Sequence, residues 1–76
     1  MAKPRVNIQD QFLNQARKER IAVRIELLTG SVYEGSINSF DNFCIVLKAE
    51  NAVQLFYKHA IAFVEPLEGS DKIELF

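Results

Sequence analysis

Ile21-Ala22-Val23-Arg24-Ile25-Glu26-Leu27-Leu28-Thr29-Gly30-Ser31-Val32-Tyr33-Glu34-Gly35-Ser36-Ile37-Asn38-Ser39-Phe40 is the segment from which the architecture follows. At its start Ile21, Val23, Ile25 and Leu27 point one way, and Ala22, Arg24 and Glu26 point the other. A period of two is the mark of a strand with one buried face. Thr29-Gly30-Ser31 supplies a hairpin turn. A second strand then runs from about Val32 to Phe40, and Gly35 in its middle predicts a sharp bend or bulge.

Upstream, the period changes to that of a helix. Asn7 is the predicted N-cap, with Asp10 three residues on in an imperfect capping box. Ile8, Phe12, Leu13 and Ala16 share a face, leaving Gln11, Gln15 and Lys18 outward. Arg17, Lys18 and Arg20 close the helix, where cations complement its dipole. Residues 1–6 contain Pro4 and no periodicity, and are read as a flexible arm.

Downstream, Asp41-Asn42 signals a turn, and Phe43-Cys44-Ile45-Val46-Leu47 reads as a strand covered on both faces. Lys48–Asn51 reads as a polar loop, followed by strands at Ala52–Phe56 and Ala60–Val64. Pro66 ends the last strand, because it cannot donate to a ladder. The remaining residues, 67–76, form a short acidic tail expected to be mobile, although Ile73, Leu75 and Phe76 are apolar. One helix followed by five short, strongly bent antiparallel strands is the pattern of a mainly β, SH3-like small barrel over residues 7–66. A sheet of this size leaves edges, and Leu55-Phe56-Tyr57 and Ile61-Ala62-Phe63 are poor edges for a monomer. Pairing the fourth strand of one copy with the fifth of the next would cover both, and such a head-to-tail contact yields a ring if its rotation closes.

Composition sets the remaining bounds. Seventy-six residues make one domain, and 49% hydrophobic residues exceed what so small a core needs. The single Cys44 excludes an intrachain disulfide, and neither a signal peptide nor a long apolar span is seen, so a cytoplasmic protein is expected. Net charge is −1, yet residues 1–24 hold six Lys/Arg against Asp10 and Glu19, while residues 25–76 hold three against eight acids. Such a molecule can be near neutral overall and still present one positive face, which permits RNA binding without requiring it. Cys44 lies in an apolar run, no glycine-rich phosphate loop exists, and one histidine with one cysteine builds no metal cluster. No enzyme, metal or cofactor is expected.

Between the last two strands stands Tyr57-Lys58-His59-Ala60, with the only histidine of the chain. A solvated turn usually carries Gly, Asn, Asp or Pro. Donors beside an aromatic suit an anionic, aromatic ligand, such as a nucleotide in RNA. The plainer alternative is a structural turn in which His59 satisfies backbone carbonyls. Phe43 similarly begins an apolar run, but its place after the Asp41-Asn42 turn lets its ring point to an opening.

Gln9-Asp10, Phe12-Leu13-Asn14, Arg17-Lys18-Glu19-Arg20, Gly30, Gly35, Ser39-Phe40-Asp41 with Phe43, and Tyr57-Lys58-His59-Ala60-Ile61 together resemble the Hfq family, the bacterial branch of the Sm-like proteins. The resemblance covers about residues 7–66. It implies a homohexameric ring of Sm folds that binds small regulatory RNAs and messenger RNAs and promotes their pairing. It further implies that Phe43 stacks on uracil, that Gln9 and Lys58 contact the base edge, and that His59 contacts the backbone or a terminal ribose. Asn42, where many relatives carry glutamine, and Tyr57 complete that uridine site on the helix-bearing face. Asn14, Arg17, Lys18 and Arg20 match the family's outer rim, although a lysine holds phosphate less specifically than an arginine. Glu26, Leu27, Gly30, Ser31 and Gln54 match the face that binds adenosine-rich RNA in relatives. There Glu26, Ser31 and Glu34 replace a tyrosine, an aliphatic residue and a glutamine, so weak or absent adenosine-tract binding is expected. A ring scaffold with weak RNA affinity, acting through protein partners, is the alternative reading.

Overall fold

The computed structural model describes residues 7–69 and Ile73. The arm at residues 1–6 and most of the tail beyond Gly69 lie outside the described residues. Helix α1 spans Ile8–Lys18, and the Asn7 side chain accepts the Asp10 backbone N–H at 3.2 Å, as the capping pattern predicts. Leu13 and Ala16 are its buried residues and Phe12 packs beside them, whereas Ile8, expected inside, is exposed. The helix closes through Arg20 N–H to Arg17 C=O and Ile21 N–H to Ala16 C=O, with Arg20 at φ 55°. This is a Schellman closure with arginine at the left-handed position that glycine usually fills.

The strands are β1 (Ala22–Leu27), β2 (Val32–Phe40), β3 (Cys44–Ala49), β4 (Ala52–Tyr57) and β5 (Ile61–Pro66). They form one antiparallel sheet in the order β4-β3-β2-β1-β5, so β4 and β5 are its two edges. A short 3₁₀ turn, Lys58–Ala60, carries the chain from one edge to the other. Alternation in β1 holds: Val23 and Ile25 are fully buried while Ala22, Arg24 and Glu26 face outward. They join Leu13, Ala16, Ile37, Ile45, Leu47 and Phe56 in the core, where Tyr33 and Phe56 meet with ring centroids 5.1 Å apart. Ile73 is half-buried against this core.

Three local expectations need correction. The irregularity in β2 lies between Ile37 and Ser39, whereas Gly35 sits in regular register opposite Val23. Glycine is needed there because a Cβ would stand 2.7 Å from the Lys48 carbonyl oxygen and 3.1 Å from Leu47 Cγ. It permits a close approach of β2 and β3. Next, β3 buries only Ile45 and Leu47 fully; Cys44 and Val46 face outward, half-covered, so the strand is not enclosed on both faces. Finally, the polar loop shrinks to Glu50-Asn51, because Lys48 and Ala49 continue β3 and Ala49 pairs with Ala52.

Candidate functional site

Asp41 organises the end of the barrel where β2 passes into β3. Its Oδ1 accepts the backbone N–H groups of Phe43 and Cys44, each at 2.8 Å, and its own N–H donates to the Cys44 carbonyl at 2.9 Å. The bonds from Phe43 and then Cys44 hold the Asp41 carboxyl below the usual carboxylate range; desolvation opposes them in part, and the positive charge of Lys58 adds a lesser lowering. The loop presents Asn42 and Phe43 to solvent, with Phe43 73% exposed. A phenylalanine displayed so fully has little packing role in the protomer.

The second wall of the site is the 3₁₀ turn. Lys58 N–H donates to the Phe43 carbonyl at 2.7 Å, tying this turn to the aromatic loop. The Lys58 side chain is largely covered, its Nζ 3.6 Å from Asp10 Oδ1 and 5.7 Å from the centroid of the Phe40 ring. Helix α1 thus supplies a carboxylate and β2 an aromatic face to hold one ammonium. Gln9 and Lys58 line the same concavity of about 220 Å³ between α1 and β5, with Phe12, Leu13, Ile45 and Phe63 among its apolar walls. Tyr57 and His59 stack on each other at the exposed rim of the turn, ring centroids 5.7 Å apart and planes at 25°. Gln9, Lys58, Phe43 and Asn42 therefore gather at one end of the barrel. Sequence reasoning misses Asp10 and Phe40 as partners of Lys58: Asp10 reads as part of the helix cap, and no local pattern announces a cation over a ring.

A separate basic cleft of about 490 Å³ is lined by Arg17, Arg20, Ser36, Ile37, Asn38 and Lys48. Asn14 Oδ1 accepts a hydrogen bond from Arg17 Nη2, which orients the guanidinium. Lys18, expected beside them, is exposed on α1 and does not line this cleft. Lys48 is the third cation lining this cleft. Its role is hidden in the sequence because it reads as part of a loop, while β3 carries it onto the outer face opposite Ser36. Among the described residues no group of three or more His, Cys, Asp or Glu is arranged to hold a metal ion, and no helix is long and apolar enough to cross a membrane.

Comparison with known proteins gives these features a context. The family described as "Hfq protein" matches residues 8–71. The chain belongs to the Hfq family. The RNA-binding protein Hfq of Pelotomaculum thermopropionicum is 48% identical over 68 residues, covering 90% of this chain and 82% of the relative. That of Ruminiclostridium cellulolyticum is 47% identical over 73 residues, covering 96% and 91%. Among solved structures, a crystal structure of the pleiotropic translational regulator Hfq superposes with a TM-score of 0.76 at 30% identity, covering 79% of this chain and 91% of that one. An Hfq protein from Anabaena sp. gives 0.66 at 28% identity, covering 71% and 87%. The helix and five-stranded sheet are thus the Sm-like fold of Hfq.

The positions expected on the opposite face lie on β1, on the β1–β2 hairpin and on β4. Glu26 lies on β1 opposite Val32 and Phe63, Leu27 is paired with Ile61 beside a register shift, and Gly30 turns the hairpin at φ 96°. Ser31 closes that turn, its backbone carbonyl accepting the Leu27 N–H at 2.8 Å. Gln54 is on β4, three strands from β1 in the sheet order. Glu34 is not a free carboxylate: Arg24 bridges it at 3.3 Å and Glu65 at 3.0 Å across β2, β1 and β5. Arg24 offsets part of the negative charge on this face, and Glu65 adds to it.

Proposed function

We propose that this protein is an RNA chaperone: a homohexameric ring that binds U-rich single-stranded RNA on its helix-bearing face and promotes pairing of small regulatory RNAs with messenger RNAs in the cytoplasm. One observation carries the reading. Phe43 is held out to solvent by a loop hydrogen-bonded to the Asp41 carboxylate and tied directly to Lys58, and Lys58 shares a concavity with Gln9. An exposed ring beside convergent donors is how single-stranded RNA is read, by stacking on unpaired bases and hydrogen bonds to their edges. The ring assembly is supported by the edge strands. Val53, Leu55 and Tyr57 on β4 and Phe63 on β5 are all exposed in the protomer, and pairing β4 with the next copy's β5 covers them.

The family role of the curated relatives, RNA binding, fits both clefts. Asn14, Arg17 and Arg20, joined by Lys48, act on phosphates at the rim. Titrating a labelled hexauridine into the wild type, Phe43→Ala and Lys58→Ala tests the uridine site. Each stacked base is worth about 1–3 kcal/mol, so Phe43→Ala is expected to weaken binding roughly tenfold or more while the assembly mass stays unchanged. Equal affinities for wild type and Phe43→Ala contradict the assignment. The scaffold alternative draws on the outer face, where Glu26, Glu34 and Glu65 stand against Arg24. Salt separates the two: phosphate contacts make log affinity fall linearly with log salt, whereas an apolar protein contact changes little.

A further inference from the structure

We infer that Asp41 is the positioning residue for the Phe43 platform, its carboxylate locking the loop whose ring receives the base. This rests on the uridine-binding reading of the same site. Both backbone polar groups of Phe43 are engaged: its N–H donates to Asp41 Oδ1 at 2.8 Å and its C=O accepts the Lys58 N–H at 2.7 Å. The neighbouring Cys44 N–H goes to the same carboxylate oxygen, and the Asp41 N–H returns to the Cys44 carbonyl. One oxygen atom thus gathers the start of β3 and the aromatic loop into a single frame.

What makes this more than an ordinary turn is the side chain it holds. Phe43 is 73% exposed and is not among the residues packed on the core, so packing does not aim its ring. The backbone clamp does. A ring on a loosened loop samples many directions, and ordering it at binding subtracts from affinity. The clamp closes on Lys58, whose ammonium is itself fixed by Asp10 and Phe40. Platform and ammonium therefore share one hydrogen-bonded scaffold, with Asp41 as its single side-chain member at the loop.

Geometry and charge are separated by two conservative changes. Asp41→Asn keeps an acceptor oxygen in place and removes the charge; Asp41→Glu keeps the charge and moves the carboxylate by one methylene. Hexauridine anisotropy titrations on the assembled protein are expected to give Asp41→Asn within about threefold of wild type, and Asp41→Glu and Asp41→Ala about tenfold weaker. In the double variant Asp41→Glu with Phe43→Ala, the loss is expected to equal that of Phe43→Ala alone, because the same interaction is removed twice. Should Asp41→Ala fail to assemble, the asparagine and glutamate variants still decide. Wild-type affinity in Asp41→Glu, or losses that add in the double variant, overturn the positioning role. A wild type that ignores hexauridine removes the underlying reading and the inference with it; a wild type that binds and a Phe43→Ala that does not, beside an unaffected Asp41→Glu, removes the inference alone.

Discussion

Arg20 holds a left-handed backbone conformation, φ 55°, at the position where helix α1 closes through the Ala16 and Arg17 carbonyls. An L-residue other than glycine or asparagine there costs roughly 1 kcal/mol, and the same side chain lines the basic cleft with Arg17 and Lys48. Arg20→Gly is therefore expected to raise the midpoint of urea unfolding slightly while weakening RNA binding at the rim. A fall in both would show that the arginine serves the fold instead. Asp41 gives a second prediction at this scale. Its folded pKa lies below the ordinary 3.8, lowered by the Phe43 and Cys44 N–H groups. The unfolded chain therefore takes up the proton first on acidification. Its contribution to stability is present above the ordinary carboxylate value and is lost as pH falls through the lowered folded value. The stability gap between wild type and Asp41→Asn, followed by circular dichroism across that window, is expected to close on acidification; a constant gap would contradict this. Of these residues, Phe43, Lys58 and Gln9 are legible from their motifs. Asp10 and Phe40 are not, because their contacts to Lys58 join α1, β2 and the 3₁₀ turn across the fold.

The elements follow from periodicity wherever one face is buried and the other is not. Strand β1 alternates, and its two faces are legible in the sequence; β3 is apolar throughout, and its continuous run conceals that Cys44 and Val46 face outward. Gly35 shows why a residue type can be noticed before its packing reason is seen. A glycine in a strand signals either a bulge or a close approach, and only the distance from its missing Cβ to the Lys48 carbonyl, 2.7 Å, tells which. Gly35→Ala must push β2 and β3 apart or shift them, an overpacking that costs about 1–3 kcal/mol. Urea denaturation at fixed protein concentration is expected to show the loss. An unchanged midpoint would mean that β2 and β3 have room for a methyl group between them.

At the scale of the molecule, the sheet ends in two edge strands, β4 and β5, with Leu55 53% and Phe63 43% exposed. Apolar edges of this kind call for a partner, which β5 of the next copy would supply to β4. The outer face so assembled repeats Glu26 and the Glu34–Arg24–Glu65 ladder around the ring. An A-rich oligonucleotide is expected to bind this face weakly at physiological salt, and tight binding would refute that expectation. The central claim is that copies joined by their outermost strands surround RNA with Phe43 rings. Native mass spectrometry with and without hexauridine tests it most directly. Six copies of the chain, gaining one hexauridine with a smaller bound fraction in Phe43→Ala at the same RNA concentration, is the predicted result; a monomer whose mass does not change on adding the RNA would contradict it.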